Sequence, residues 1–301
     1  MALVKSSRYG KDNVRICKVE RDEETGVQTV TEMTMGVMLE GAINSSYTQG
    51  DNSVIIATDS MKNAVYIKAK ENPVSPPELF ACILGDHFIG KYPHLTGAQI
   101  KIITHQWARM NFDGKPHPHS FYKDGDYTQV TKAKIQKNKI EISSGINGLP
   151  VFKSTGSQFH GFVRDEFTTL PEAWDRVLST HINCIWTWKP FETMTSVRAA
   201  APHFDKAWLD VRDITMKIFA QENSHSVQNT MYNMSNHILQ TNTSIQDVEY
   251  KLPNKHYNKI DLSWYKGLQD TGENAEIYLP QTDPNGLIEL KVTRSQDSSE
   301  P

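Results

Sequence analysis

The sequence predicts an α+β fold in which an antiparallel sheet carries helices on one face, and three observations lead there. Strand-like alternation, helix-like stripes and renewed alternation follow one another along the chain, and that succession occurs twice. At 301 residues the chain exceeds the usual size of one hydrophobic core, so two domains or a duplicated unit is expected. Capping and turn residues stand at the joints of the pattern, where helices open and strands reverse.

In the first half, Met33, Met35, Val37 and Leu39 alternate as a strand with one buried face. Val65, Ile67 and Ala69 mark a second strand after an intervening loop. A helix comes next: Ser75 caps it, Pro76 and Pro77 suit its opening, and Glu78 completes a capping box. Its apolar stripe is Leu79, Phe80, Ile83, Leu84 and Phe88, and strands resume with Ile100 and Ile102.

The second half opens with strand-like runs over 149 to 168, then a short helix for which Thr169 and Glu172 offer a capping box and on which Arg176 lies. Trp208, Val211, Ile214, Ile218 and Phe219 stripe a longer helix. Val227, Met231, Met234 and Ile238 stripe the next, capped by Ser224 or Ser226. Val248, Tyr250 and Leu252 alternate again, as do Ile260, Leu262 and Trp264, and Asp283-Pro-Asn-Gly286 reads as a turn before a final strand at 287 to 293. The halves part near residues 137 to 143, which gives domains of 1–139 and 140–301.

Composition removes several classes of function. A net charge of -3 argues against a nucleic-acid binder, which needs a clustered basic excess. No stretch approaches the roughly 20 apolar residues of a membrane span, so a soluble protein is expected. Cys17, Cys82 and Cys184 are odd in number, far apart and without a Cys-x-x-Cys pair, which favours free thiols in a reducing compartment. Met-Ala-Leu-Val-Lys5 has no apolar core of signal-peptide length, and an intracellular location is expected.

Several side chains could carry binding or chemistry, each with an ordinary alternative. Arg176 offers a planar fork for two acceptors, though most helical arginines are solvated surface groups. Gln228, in an expected first helical turn, can donate and accept at once; the bland alternative is an exposed polar group near a cap. Phe159 would stack a ring, yet an isolated Phe is usually core. Lys11, Thr58 and His256 come from distant segments, and their spacing alone would not group them. His117 and His119 invite a metal reading, but no further ligand motif completes a site, so no metal is expected. No Gly-x-Gly-x-x-Gly follows a strand, which argues against a Rossmann-type nucleotide site.

Residues 149 to 176, from Leu-Pro-Val-Phe152 through Ser-Gln-Phe159-His160-Gly-Phe to Ala-Trp-Asp-Arg176, resemble the signature segment of the urate oxidase (uricase) family. The likeness recurs in Tyr9-Gly-Lys11-Asp-Asn13, Tyr47-Thr-Gln-Gly-Asp-Asn-Ser53, Ala57-Thr-Asp-Ser60, Asp113-Gly-Lys-Pro-His-Pro-His-Ser-Phe121, Ser226-Val-Gln228 and Leu252-Pro-Asn-Lys-His-Tyr257. Those islands span the chain in order. Phe152 and His160 depart from the family pattern.

The resemblance implies two tandem T-fold (tunnelling-fold) domains whose sheets join those of other subunits in a barrel with a central tunnel, two barrels stacking as a homotetramer. It implies cofactor-free oxidation of urate by dioxygen and water to 5-hydroxyisourate and hydrogen peroxide in purine catabolism. Lys11, Thr58 and His256 are then the catalytic proton relay, and Thr58, Asp59, Phe159, Arg176, Val227, Gln228 and Asn254 contact substrate at subunit interfaces. No metal, nucleic acid or membrane partner is implied. The alternatives are another T-fold enzyme using zinc on a flat heterocycle, which metal analysis discriminates, and a non-catalytic purine binder, which would lose the relay. The family points to the peroxisome, but the chain ends Ser298-Ser-Glu-Pro301 rather than in a Ser-Lys-Leu type tripeptide, which leaves the cytosol open.

Overall fold

The structure is a computed structural model that describes residues 2–270 and 275–295. Ser298 to Pro301 lie outside the described residues. Eight strands and five helices run β1 (Tyr9–Arg21), β2 (Gln28–Gly41), α1 (Asn44–Thr48), α2 (Thr58–Glu71), α3 (Pro77–Lys91), β3 (Leu95–Phe112), β4 (Lys115–Gln136), β5 (Lys139–Lys153), β6 (Leu178–Trp188), α4 (Met194–Gln221), α5 (Val227–Thr241), β7 (Ile245–Lys259) and β8 (Tyr278–Thr293) among the described residues. Strands neighbour one another in chain order, β1 to β8, and β1–β2, β2–β3, β3–β4, β4–β5 and β7–β8 pair antiparallel. The α+β expectation holds.

By compactness the chain divides into unit 1, comprising Met1–Asn147, Ile185–Leu209 and Ser244–Gln246, and unit 2, comprising Gly148–Cys184, Asp210–Thr243 and Asp247–Pro301. In unit 1, Met33, Met35, Val37 and Leu39 are fully or almost fully buried and alternate with the half-buried Thr34, Met38 and Glu40 and the buried Gly36, close to the period of a one-faced strand. Helix α3 packs on β3 and β4, and α2 on β1. Close approach of α3 depends on Gly85, where an added Cβ would lie 2.4 Å from the Cδ1 of Ile135 on β4. In unit 2, α5 packs on β8, with Val227, Met231, Met234 and Ile238 buried as the stripe predicts.

Six local expectations are overturned. Val65, Ile67 and Ala69 lie in α2, not in a strand: Met61, Val65 and Ala69 are buried at a spacing of four, and Ile67 is exposed. No capping box opens α3, whose N-cap is Pro76, because Glu78 is turned into the core. There its carboxylate accepts from Ser144 Oγ at 2.5 Å and Thr131 Oγ1 at 3.3 Å, and Trp188 Nε1 donates to Ser144 Oγ. Burial pushes Glu78 up to about 7. The run over 149 to 168 keeps strand pairing only to Lys153, and 169 to 176 form no helix; Glu172 instead accepts from the Gly161 N–H at 3.1 Å. Ile260, Leu262 and Trp264 lie beyond the end of β7, with Trp264 exposed. The Asp283–Gly286 turn falls inside β8, which starts at Tyr278.

Among the described residues no helix is long and apolar enough to cross a membrane.

Candidate active site

In unit 2 the chain after β5 leaves the sheet and supplies two of the candidate binding residues, Phe159 and Arg176. Arg176 is not helical; it sits in the extended segment just before β6, and its guanidinium lies over the Phe159 ring, 5.0 Å from the centroid. Phe162 stacks on the same ring at 4.9 Å and 11°, so Phe159 accommodates a flat neighbour. Backbone bonds hold this arrangement: Arg176 N donates to Ser157 O at 2.8 Å, and Phe159 and Ala173 exchange two bonds. Burial lowers the Arg176 pKa. The Arg176 Nε is buried with no hydrogen-bond partner among the described residues, a donor left for something the chain does not supply. Arg176 also lines a cavity of about 750 Å³ with Phe152, Ser154, Asp175, Lys259 and Tyr278. Phe159 and Gln228 are not among its lining residues.

The same segment reaches the start of α5. Gln158 N donates to Ser224 O at 2.7 Å, and Ser224 N to Gly156 O at 2.9 Å. Of the two candidate caps, Ser226 is the N-cap, its hydroxyl accepting from Asn229 N, while Ser224 Oγ bonds Thr230 Oγ1. That leaves Val227 and Gln228 as the first two helical residues, whose N–H groups have no partner in a preceding turn. Val227 is buried and Gln228 exposed. Gln158 Oε1 lies 3.1 Å from His225 Nδ1 and 3.3 Å from His160 Nε2, and His160 stacks on Trp174.

Asn254 and His256 share one face of β7 and are both half-buried. They lie opposite Gly286 and Gln281 of β8, and the register shifts between them. On the other face, Lys255 Nζ lies 2.7 Å from His181 Nε2, and burial followed by the Lys255 charge lowers the His181 pKa.

Unit 1 holds the remaining three. Lys11 sits where the β1–β2 register slips between Lys11 and Val14. Asn13 there adopts φ 56°, and its N–H bonds Asp12 Oδ1 at 2.9 Å. Such a bulge bends the strand and re-aims the residue beside it. Thr58 and Asp59 open α2, and Tyr9 Oη, two residues before Lys11, accepts from the Ile56 N–H at 2.7 Å and ties the two elements together. Asp59 bonds Lys62 Nζ at 2.6 Å and Asn63 Nδ2 at 3.0 Å; the Lys62 bond holds its pKa down, with a smaller contribution from the Lys11 charge.

Two groups therefore stand out: Phe159, Arg176, Val227, Gln228, Asn254 and His256 in unit 2, and Lys11, Thr58 and Asp59 in unit 1. Sequence reasoning passed over Tyr9, the Asp12-Asn13 bulge and Asp175. The Asp-Asn pair after Lys11 was the available signal, since Asn enters the left-handed region more readily than most residues. His117 and His119 face one another edge to face, 4.6 Å between centroids, and among the described residues no group of three or more His, Cys, Asp or Glu side chains is placed to hold a metal. Cys17, Cys82 and Cys184 are free.

Against known proteins, the Uricase family model matches residues 7–134 and 142–289. The chain is 57% identical over 296 residues to the uricase of Aspergillus flavus, with 98% of each covered, and 57% identical over 295 residues to that of Emericella nidulans. The crystal structure of uricase from Arthrobacter globiformis superposes with a TM-score of 0.87 at 32% identity, covering 100% of this chain and 97% of that one.

Proposed function

The chain belongs to the uricase family and oxidises urate, and on that premise we propose which of its residues do so and by what chemistry. Phe159 stacks the purine, the Arg176 fork takes two acceptors on its anionic edge, and Gln228 meets the adjacent N–H and C=O of the pyrimidine ring. The Val227 N–H and the positive end of α5 add attraction for an anion. The observation that carries this reading is the Arg176 guanidinium held over the Phe159 ring with a buried, unpaired Nε.

Lys11, Thr58 and His256 form the proton relay, and Asn254 orients the small co-substrate. Triplet dioxygen reacts slowly with closed-shell molecules, so the site must first deprotonate urate to an electron-rich dianion. One electron then passes to oxygen, the pair recombines as a hydroperoxide at C5, and hydrogen peroxide departs to leave dehydrourate. Water held by Asn254 and Thr58 adds at C5. Urate, dioxygen and water thus become 5-hydroxyisourate and hydrogen peroxide, with no metal or organic cofactor. A Lys beside a hydroxyl suits proton movement in both stages.

Two tandem T-fold domains, 1–139 and 140–301, are part of the same proposal; the repeated order of two strands, helices and two strands supports it. So is a homotetramer in which the unit 1 group of one subunit completes the unit 2 group of its neighbour, acting inside the cell in the peroxisome or the cytosol. The test follows urate absorbance and peroxide together after exhaustive chelation. Equimolar loss and gain is expected; activity lost on chelation and restored by one added metal overturns the cofactor-free chemistry.

A further inference from the structure

We propose that Asp175 is a positioning residue for urate: its carboxylate fixes the Thr155–Ser157 turn against the chain at Arg176 and so sets where the Arg176 guanidinium lies. The inference rests on the proposed role of Arg176 in gripping urate.

The turn needs such a fixing point. Beyond Lys153 the chain has left the sheet, Gly156 takes φ +76°, and only isolated bridges at Ser157 and Phe159 follow. Into this gap Asp175 sends an acceptor with two oxygens. Thr155 Oγ1 donates to one at 2.6 Å and the Gly156 N–H to the other at 2.7 Å. The backbone N–H groups of Ser157 and Arg176 lie close enough to favour the charged carboxylate as well. Convergent N–H groups around a left-handed residue form an anion-holding concavity, here filled from within the chain. Burial acts to raise the Asp175 pKa, but the donors at Thr155, Gly156, Ser157 and Arg176 outweigh it and hold the pKa below the usual carboxylate range.

The consequences spread in two directions from the same turn. Ser157 O takes the Arg176 N–H, and two residues on, Phe159 carries the ring beneath the guanidinium. Gly156 O takes the Ser224 N–H and Gln158 N bonds Ser224 O, which leads within three residues to Val227. Since Arg176 Nε has no partner of its own, its aim depends on backbone placement and on the Phe159 face. Asn at 175 keeps one acceptor oxygen but turns an NH2 donor toward the converging N–H groups, so it breaks the arrangement at nearly constant volume.

The test uses the full chain in four variants: Asp175→Asn, Thr155→Val, Arg176→Ala and the Asp175→Asn/Arg176→Ala pair. Urate affinity is measured by anaerobic titration, where nothing turns over, alongside kcat in air. Asp175→Asn should weaken binding about tenfold, as loss of charge-assisted bonds at one remove implies. Its kcat should stay within about twofold, because substrate once bound meets an unaltered relay. Thr155→Val should weaken binding in the same direction by less. In the Arg176→Ala background, Asp175→Asn should cost much less, because the guanidinium is gone and only the Phe159 and Val227 contacts remain to be disturbed. Equal weakening by Asp175→Asn with and without Arg176 overturns the positioning role. Arg176→Ala binding urate normally instead overturns the role of Arg176 on which it rests. Should Asp175→Asn fail to fold, Thr155→Val with and without Arg176 decides by the same rule.

Discussion

The two groups of proposed site residues are held by different means. Lys11, Thr58 and Asp59 come from a bulged strand and a helix start, where the backbone ladder and the Tyr9 to Ile56 bond fix their position. Phe159 and Arg176 come from irregular chain, where a carboxylate, a few bridges and a ring contact do that work. Substitution in the first group should therefore remove chemistry and leave the scaffold alone. Substitution in the second should move its neighbours.

Lys11→Met tests the first half of that contrast and carries the largest expected effect. Losing the amine should lower turnover about 10²–10⁴-fold, the usual range for a lost proton-transfer group, with urate affinity and thermal midpoint nearly unchanged. Near-normal turnover across pH would remove Lys11 from the relay.

Two carboxylates sharpen the contrast further. Asp175 meets N–H and hydroxyl donors at an exposed turn and its pKa is held down, whereas Glu78 is fully buried and its hydroxyl and backbone donors do not offset that burial. Its second oxygen has no partner among the described residues, so desolvation dominates and its pKa rises to about 7. In the unfolded chain the same group titrates near 4.5. Between those values the native state binds more protons than the unfolded one, so this group's contribution makes stability fall as pH rises, levelling off above pH 7. Glu78→Gln removes the penalty. Relative to the unmutated chain it should match at pH 4 and gain up to roughly 3 kcal/mol by pH 8 in urea unfolding. A difference between the two proteins that stays constant with pH would show that Glu78 is not desolvated in this way.

Arg176→Ala tests the second half. Loss of a charge-assisted, two-pronged contact should weaken urate about 10- to 100-fold, with kcat much less affected because the contact is made in ground and transition states alike. A fall in kcat at unchanged affinity would move Arg176 from binding to chemistry.

How much of this was legible in the sequence also differs between the regions. Stripes in α4 and α5 and the alternation in β2 could be read because burial there follows one period over several turns or residues, whereas α3 is buried on most sides and Leu79 of its expected stripe is only half-buried. Helix α2 was misread because Val65, Ile67 and Ala69 satisfy a period of two while Met61, Val65 and Ala69 satisfy a spacing of four, and packing on β1 chose the latter. Glu78 looked like a capping residue because nothing local reveals Ser144, which lies 66 residues away. Thr169 and Glu172 looked like a capping box, but no apolar stripe follows them; the chain there is set by long-range bonds such as Gly161 to Glu172 and Phe159 to Ala173. The proposed site residues could be named only through a resemblance carried by short motifs. Their spacing was silent, because a bulge at Lys11 and a bulge between Asn254 and His256 leave no periodic trace.

The smallest effect addresses whether the two groups work within one chain or across two. If the unit 1 group of one subunit completes the unit 2 group of another, Thr58→Ala spoils one side of every site and Arg176→Ala the other. Each homo-oligomer should be nearly inactive. In a mixed oligomer, some sites join the intact unit 1 group of an Arg176→Ala chain to the intact unit 2 group of a Thr58→Ala chain. With equal amounts and random assembly, about a quarter of the sites should be intact, since each side is unmutated half the time. The two variants would be unfolded and refolded together and separately, mixed oligomers confirmed by mass spectrometry, and urate oxidation compared at equal total protein and subsaturating urate, where the Arg176 loss is felt. Recovery to about a quarter of the unmutated rate assigns the site to two chains. Activity no higher than the mean of the separate samples assigns it to one, and the two groups would then have to meet within a single subunit.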